Sequence, residues 1–204
     1  MQDHSEWKVP VQERSKRRFD AILDAAGAEL NEVGWHRFTM ESVALRANGS
    51  IGSVYRYFPN KLSLIAALID SQNKQLLRVF DSRDDGDEPF EDLVLDMIDR
   101  YAAAVRKSPG LRAVGIAAQF DHEAHELFRH AIYPARQWMT AALRHRLPKV
   151  ETTRLEGIAA ILVLTFESLM LFSNQLATPS REVILREMRL VLRGYMKELA
   201  QEVT

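Results

Sequence analysis

The 204-residue chain contains no cysteine. This absence excludes a disulfide framework, a thiolate zinc site and a cysteine nucleophile, and it fits a reducing cytoplasm. The N-terminal stretch is polar and charged and lacks the apolar core of a secretory signal, so we expect no signal peptide. The longest apolar run, Gly157–Phe172, is shorter than the roughly 20 residues that span a bilayer, which predicts a buried helix of a soluble, cytoplasmic protein with no membrane partner.

Strand patterns are also missing. Alternation of apolar and polar residues is never sustained, whereas apolar residues recur at helical spacing through most of the chain. We therefore predict an all-α fold with a three-helix N-terminal domain, residues 1–59, and a larger helical domain, residues 60–204. The segment DSRDDGDEP, Asp81–Pro89, is a loop by composition, and a helix opening at Asn60 joins the two domains without a flexible linker.

Charge is nearly balanced, with a net charge of -1. Balance alone does not indicate a nucleic-acid partner, but the charges are unevenly distributed. A basic arm, Arg14–Arg18, precedes the first apolar pattern, and an acidic stretch begins at Asp81. Cations at a helix N-terminus oppose the helix dipole, and a nearby phosphate backbone would reverse that preference. A solvated tail explains the basic arm equally well.

The segment NGSIGSVYRYFPNK, Asn48–Lys61, crowds turn residues and polar groups together. Asn48 and Gly49 tolerate the left-handed conformation of a tight turn. Thr39 and Ser50 are suited to cap short helices on either side of that turn, and Pro59 ends the second helix. Two short helices joined by a tight turn predict a helix-turn-helix, whose second helix enters the DNA major groove.

A helical wheel divides the second short helix, predicted over Ile51–Phe58, into two faces. The inner face holds Ile51, Val54 and Phe58, whereas the outer face holds Gly52, Ser53, Arg56 and Tyr57, with Tyr55 at its edge. Hydroxyl groups and arginine donate to phosphate oxygens and base edges, and Lys61 adds a positive charge beyond the turn. These groups together favour duplex DNA as the partner, although an ordinary capped helical hairpin remains the alternative.

The pattern T-x-x-x-V-A-x-x-A-x-x-S-x-G-S-V-Y-x-Y-F-x-x-K, from Thr39 to Lys61, closely resembles the helix-turn-helix signature of the TetR family of transcriptional regulators. The resemblance implies an all-helical homodimer, a ligand pocket in the larger domain, and repression at a roughly palindromic operator that a small molecule relieves. We expect no cofactor. Together with the wheel and the basic arm, it gives these candidate DNA contacts: Thr39, Ser50, Gly52, Ser53, Tyr55, Arg56, Tyr57, Lys61, Arg17 and Arg18.

Gly49 departs from the family pattern. TetR-like sequences usually have glycine and then an apolar residue where this chain has Asn48 and Gly49. The turn therefore lacks a small hydrophobic plug. We expect Gly49→Val to stabilise the fold.

Bulky residues on helices of the larger domain are candidates for the effector pocket. They are Met97, Tyr101, Phe120, Trp138, Phe166 and Met170. Their selection rests on the layout that the resemblance implies, and plain core packing is the alternative for each. A cavity lined by them would favour an apolar or aromatic effector. Apolar stripes along the last two helices favour a homodimer formed through those helices.

Enzymatic and metal sites have little support. The histidines of DHEAHELFRH are three residues apart, unlike those of H-E-x-x-H, so we expect no metal site at His122, His125, Glu126 and His130. G-x-S-x-G is absent. We expect a regulator rather than an enzyme, and two alternatives stay open: a helical small-molecule-binding protein without a DNA-binding role, and a helical enzyme.

Overall fold

A computed structural model describes residues 7–77, 89–173 and 176–203, and most of these residues lie in helices. In chain order they are α1 (Glu13–Arg37), α2 (Met40–Arg46), α3 (Ile51–Tyr55), α4 (Lys61–Leu77), α5 (Phe90–Arg106), α6 (Pro109–Ala117), α7 (His122–Arg146), α8 (Thr152–Ser173) and α9 (Thr178–Val203). These residues contain no strand, so the predicted all-α class is confirmed. The predicted loop Asp81–Pro89 lies outside the described residues apart from Pro89.

The chain forms two compact units. The first unit contains the described residues up to Gln75 together with Val105–Ala131, and the second unit contains the described residues of Leu76–Ala104 and of the chain from Ile132 onwards. Most of α4 and all of α6 therefore pack in the same unit as the three N-terminal helices. The division at residue 59 separates the helix-turn-helix from the rest by expected function, and it stays a prediction.

The core of the first unit follows the helical spacing of its apolar residues. Ile22, Ala26 and Leu30 occupy one face of α1 at intervals of four residues, and all three are completely buried. Gly34 interrupts α1 with a φ of 74°, a conformation that favours glycine. Gly34 therefore kinks α1, and a final turn continues to Arg37 beyond the kink.

Helix α6 packs closely on α1 and on α4 within the first unit. A β carbon at Gly110 would lie 2.6 Å from a methyl group of Leu68, so a larger residue would force the Leu68 side chain to shift. The next amide, that of Leu111, donates to the side chain of Gln72 at 3.0 Å. These contacts explain why α6 belongs to the first unit although it lies far along the chain.

Helix α8 supplies much of the second unit's core and packs against α9. Leu155, Leu162 and Met170 are almost fully buried. The apolar stretch of α8 is longer than we expected, because Thr152–Phe172, 21 residues, is long and apolar enough to cross a membrane by length and composition. Half of that stretch is buried inside the protein, and Leu155, Leu162 and Met170 within it belong to the core.

Candidate nucleic-acid interface and ligand cavity

The α2–turn–α3 segment forms a helix-turn-helix with local hydrogen bonds at each corner. Thr39 caps α2, since its hydroxyl accepts from the Ser42 amide at 3.1 Å. Ser50 caps α3 in the same way and accepts from the Ser53 amide at 3.3 Å. Asn48 takes a φ of 50° in the turn. The two predicted caps and the left-handed Asn48 are therefore confirmed.

Gly49 has a different role from the one we predicted. Its φ is not positive, and its amide donates to the Ala44 carbonyl at 2.9 Å. A β carbon at Gly49 would lie 1.4 Å from Nη2 of Arg18. Gly49 therefore provides space for a guanidinium group rather than backbone freedom, and a larger residue there must displace Arg18, which reverses our expectation for Gly49→Val.

Arg18 connects α1 to the turn through two hydrogen bonds. Nη1 donates to the Ala47 carbonyl at 2.6 Å, and Nη2 donates to the Ser53 hydroxyl at 3.2 Å. Ala47 is the C-cap of α2, and the helix dipole favours a positive charge such as the Arg18 guanidinium at that end. Arg18 thus takes the place of the apolar plug that TetR-like turns usually have.

Tyr57 does not lie on the outer face. Helix α3 ends at Tyr55, so the helical wheel fails beyond that residue. The side chain of Tyr57 is 5% exposed, and its ring makes an edge contact with Phe19 at 5.7 Å between centroids. Its hydroxyl accepts from Arg56 at 2.7 Å. The predicted outward placement of Tyr57 is wrong, as is the inward placement of Ile51, which is exposed.

The remaining outer residues of α3 are accessible. Gly52, Tyr55 and Arg56 are exposed. Ser53 is half-buried, and its hydroxyl donates to the Ser50 carbonyl at 2.7 Å while it accepts from Arg18. Because its only proton is already donated, Ser53 can meet a phosphate as a donor only if that bond breaks.

Lys61 is directed inward. Its ammonium donates to the Trp35 carbonyl at 2.6 Å and lies 4.5 Å from the centre of the Trp35 ring. Burial lowers the pKa of Lys61, while Asp121 and Glu123 act in the opposite direction. The side chain therefore joins the start of α4 to the end of α1 instead of extending beyond the turn. A DNA contact through its other N–H groups stays a prediction.

Arginines surround a hollow between the start of α1 and α3. The hollow has a volume of about 550 Å³, and its lining comprises Arg14, Ser15, Arg17, Arg18, Ala21, Ser53, Arg56 and Tyr57. None of these described lining residues carries a carboxylate. The predicted contacts Arg17, Arg18, Ser53 and Arg56 are thus brought together, whereas Thr39 is exposed at the start of α2. Such an arrangement attracts phosphate groups.

A small apolar cavity of about 40 Å³ lies within the second unit, between α5, α7 and α8. Its lining comprises Val94, Ile98, Tyr101, Ala135, Met139, Leu162, Val163, Phe166 and Glu167. Tyr101 and Phe166 make an edge contact at 5.5 Å between ring centroids. Space of this size holds water but not a drug-sized molecule, so a larger ligand requires the cavity to widen.

Glu167 is the one acidic group among these lining residues, and it was not among the residues that we predicted from the sequence. Its side chain is 4% exposed, and Oε1 has no hydrogen-bond partner in the described part of the chain. Burial raises the pKa of the Glu167 carboxyl to about 7, and a hydrogen bond from Tyr101 opposes that rise. The same burial, together with the charge of Glu167, raises the pKa of Tyr101 well above its usual value. A lone carboxylate within the most apolar run of the chain was the sequence signal for this site.

The other predicted pocket residues are dispersed. Met170 is buried and Trp138 is half-buried, but neither contributes to the lining of the cavity. The side chain of Met97 lies outside the described residues. Phe120 is 84% exposed and belongs to the first unit, where it borders a groove with Trp35. Its assignment to the central cavity is therefore wrong, because the chain has left α6 at Ala117 and turns through the surface at Phe120.

The histidine-rich start of α7 is organised by ion pairing. Glu126, one of the residues considered for a metal, accepts from Arg129 at 2.6 Å. Among the residues that the structure describes, no group of three histidine, aspartate or glutamate side chains could hold a metal ion.

Comparison with known proteins gives matches along most of the chain. The family model described as bacterial regulatory proteins, tetR family, matches residues 22–68, and the model described as tetracyclin repressor-like, C-terminal domain, matches residues 89–196. The HTH-type transcriptional repressor KstR of Mycobacterium tuberculosis is 31% identical over 102 residues, which cover 48% of this chain and 44% of KstR. Sequence similarity to that curated relative thus extends over about half of each protein.

Solved structures match over a longer range. A TetR-family transcriptional regulator from Streptomyces coelicolor is 28% identical with a TM-score of 0.68, and the match covers 89% of this chain and 98% of that one. GusR of Salmonella enterica shares the fold with a TM-score of 0.71 at 20% identity, covering 92% of this chain and 98% of its own. The two family models together span the helix-turn-helix and more than half of the chain, and the chain therefore belongs to the tetR family of bacterial regulatory proteins.

Proposed function

We propose that the protein is a cytoplasmic, homodimeric, non-catalytic repressor that binds a roughly palindromic DNA operator and is released by a small apolar or aromatic effector. The observation that carries the proposal is the helix-turn-helix itself, whose exposed face lies beside a hollow bordered by four arginines. Similarity to a protein named as a transcriptional repressor supports the sign of regulation.

The proposed DNA surface combines two kinds of contact. Tyr55 and Gly52 on α3 can approach base edges and the adjacent backbone, since both are exposed and a β carbon added at Gly52 would meet no other atom within 4 Å. Arg17 and Arg56 supply charge for phosphate oxygens. We assign Arg18 and Tyr57 a supporting role in this interface, because both are engaged inside the domain.

A salt-dependent binding titration on the DNA upstream of the gene tests this function. Arg17→Ala is expected to weaken binding and to reduce the slope of log affinity against log salt by about 1, as for loss of one phosphate contact. Tyr55→Phe removes one hydroxyl and is expected to weaken binding without changing the fold. Arg144→Ala and Tyr133→Phe are matched controls, since both residues lie on α7, away from the helix-turn-helix in the chain. Equal losses in the α7 variants, or no binding by the wild type, would contradict the proposal.

Two substitutions that look natural for this test are unsuitable. Tyr57→Ala would leave a void beside Phe19 in the core of the domain. Lys61→Ala would remove the donor to the Trp35 carbonyl. Loss of DNA binding in either variant would report folding as well as contact.

Dimerisation is proposed through the outer faces of α8 and α9. Ile161, Leu164 and Phe172 recur along α8 at intervals that keep them on one side, and all are exposed in the single chain. Leu190 and Val191 on α9 are exposed by 59% and 62%. An exposed apolar surface of this extent is typical of an interface. In a dimer with a two-fold axis, α8 and α9 of one chain would cover α8 and α9 of the other. The dimer would present two α3 helices to half-sites about 34 Å apart.

Regulation is proposed to act through helices that both units share. α4 begins in the first unit and ends in the second, and α7 also contributes residues to both. An effector that binds a widened form of the cavity would favour one arrangement of these helices. A coupling free energy of about 1–3 kcal/mol would reduce operator affinity roughly 5- to 150-fold.

A further inference from the structure

The cavity of the second unit contains an unpaired acceptor. Glu167 is almost fully buried, and its Oε1 has no hydrogen-bond partner among the described residues. Its carboxylate receives a hydrogen bond from Tyr101. A buried polar atom without a partner is costly, and it is uncommon in native proteins.

Positive charge is also missing from the described lining. No lysine, arginine or histidine is among the residues that border the cavity, so Glu167 has no counter-ion there. The groups facing it are Tyr101 from α5 and apolar side chains, such as Met139 from α7 and Phe166 from α8. A hydroxyl group would satisfy Oε1, but a cation would satisfy it and neutralise the charge, and charge-assisted hydrogen bonds are about twice as strong as neutral ones.

We propose that the effector of this protein is an apolar or aromatic molecule with one ammonium group, which donates to Oε1 of Glu167. The regulatory role of this ligand rests on the proposed function, whereas its binding to the cavity does not. The apolar body would occupy space opened beside Met139 and Leu162, since methionine and leucine side chains adapt to irregular ligands. Tyr101 would hold the carboxylate in position.

The charge state of the site makes binding depend on pH. Burial gives the Glu167 carboxyl a pKa of about 7, and among the described lining residues only Tyr101 titrates besides it, far above this range. The ammonium ligand prefers the ionised carboxylate. Its affinity is therefore expected to increase between pH 6 and pH 8, whereas the affinity of a neutral alcohol of the same shape is not.

Thermal shift and calorimetric titration of the full chain without DNA test the proposal. The probes are benzylamine, benzyl alcohol and toluene, which share one aromatic ring and differ in the group attached to it. Benzylamine is expected to raise the Tm most, since a ligand that binds the native state stabilises it in proportion to its affinity. Glu167→Gln keeps the size of the side chain and removes its charge. It is expected to weaken benzylamine binding about tenfold or more and to leave benzyl alcohol binding within about twofold.

Each other outcome overturns the proposal. Equal Tm shifts from benzylamine and toluene would indicate an apolar cavity in which the carboxylate does not contact the ligand. A larger Tm shift from benzyl alcohol would indicate a site that prefers a neutral ligand. Benzylamine binding that persists in Glu167→Gln, or that does not change between pH 6 and pH 8, would locate the amine elsewhere. Tyr133→Phe, at an exposed residue of α7 outside the lining of the cavity, serves as the control variant and is expected to bind benzylamine as the wild type does. Because no DNA is present, these results are independent of operator binding, whose failure would instead contradict the proposed function.

Discussion

Replacing Gly49 by valine is expected to destabilise the protein, although the resemblance to TetR-like sequences predicts the opposite. The new β carbon would coincide with Nη2 of Arg18, 1.4 Å away, and would lie 2.5 Å from its Cζ. The obstacle is the end of a flexible side chain, so Arg18 can swing aside into solvent. The cost is therefore the loss of what Arg18 does in the turn.

The magnitude follows from three contributions. Displacing Arg18 breaks its hydrogen bonds to the Ala47 carbonyl and the Ser53 hydroxyl, and part-buried bonds from a charged donor contribute on the order of 1 kcal/mol each once water is allowed to replace them. Loss of a cation at the C-terminus of α2 adds about 0.3–1 kcal/mol. Removing glycine from a position without positive φ recovers about 0.4–1 kcal/mol through the unfolded state. The net expectation is a destabilisation of about 1–3 kcal/mol.

A double-mutant cycle with Arg18→Met isolates the contact. Urea unfolding of the wild type, both single variants and the double variant gives the four free energies. Gly49→Val is expected to destabilise the wild type and to be neutral or stabilising in the Arg18→Met background, where the methionine side chain can pack on the valine. If Gly49→Val stabilises the wild type, or has the same effect in both backgrounds, Arg18 does not hold the turn.

Three further predictions concern other parts of the molecule. Leu190→Glu is expected to convert the dimer to a folded monomer in analytical ultracentrifugation. Val11→Glu, at another exposed apolar residue, is expected to leave the dimer intact. A dimeric Leu190→Glu variant would exclude Leu190 of α9 from the interface. Arg46→Met is expected to lower the Tm more than Glu29→Gln, because it leaves the buried Glu29 carboxylate without the guanidinium that now lies 2.8 Å away; the reverse order would mean that the pair contributes little. Proton binding by Glu167 contributes its full stabilisation of the native state below pH 4.5. That stabilisation is lost as the pH rises through the folded-state pKa of about 7, so that the free energy of unfolding falls by ~3 kcal/mol by pH 8. The Tm advantage of Glu167→Gln over the wild type should accordingly grow from pH 5 to pH 8, and an advantage independent of pH would show that this carboxyl does not titrate as the structure implies.

The features that the sequence predicted correctly depend on neighbours within a few residues. Thr39 and Ser50 cap amides three positions away, and Asn48 adopts its turn conformation through its own backbone preference. Hydrogen bonds of this range are encoded in a short stretch, so a sequence without a structure is enough to place them.

The features that it missed depend on contacts between distant residues. Arg18 reaches a turn 31 residues away, and nothing in the local pattern of either segment indicates the contact. Tyr57 was misplaced because the wheel assumed a helix that continues, whereas α3 ends after five residues and Tyr57 packs on Phe19. Phe120 was assigned to a pocket from its bulk and from the layout that the resemblance implies, and neither distinguishes a surface turn from a core.

Arg18 and Glu167 share one property: each is a charged side chain at a position where an apolar one would satisfy the fold. For Arg18, the structure supplies the compensation, since two acceptors and the end of α2 surround its guanidinium. For Glu167, the compensation is incomplete, because Tyr101 satisfies the carboxylate only in part and Oε1 has no partner among the described residues. We propose that a bound ligand compensates the cost of this carboxylate at neutral pH by bringing a donor to Oε1. The expected gain in stability of Glu167→Gln and its expected loss of amine binding are therefore two consequences of the same unpaired atom, and a variant that showed the first without the second would separate the carboxylate from ligand recognition.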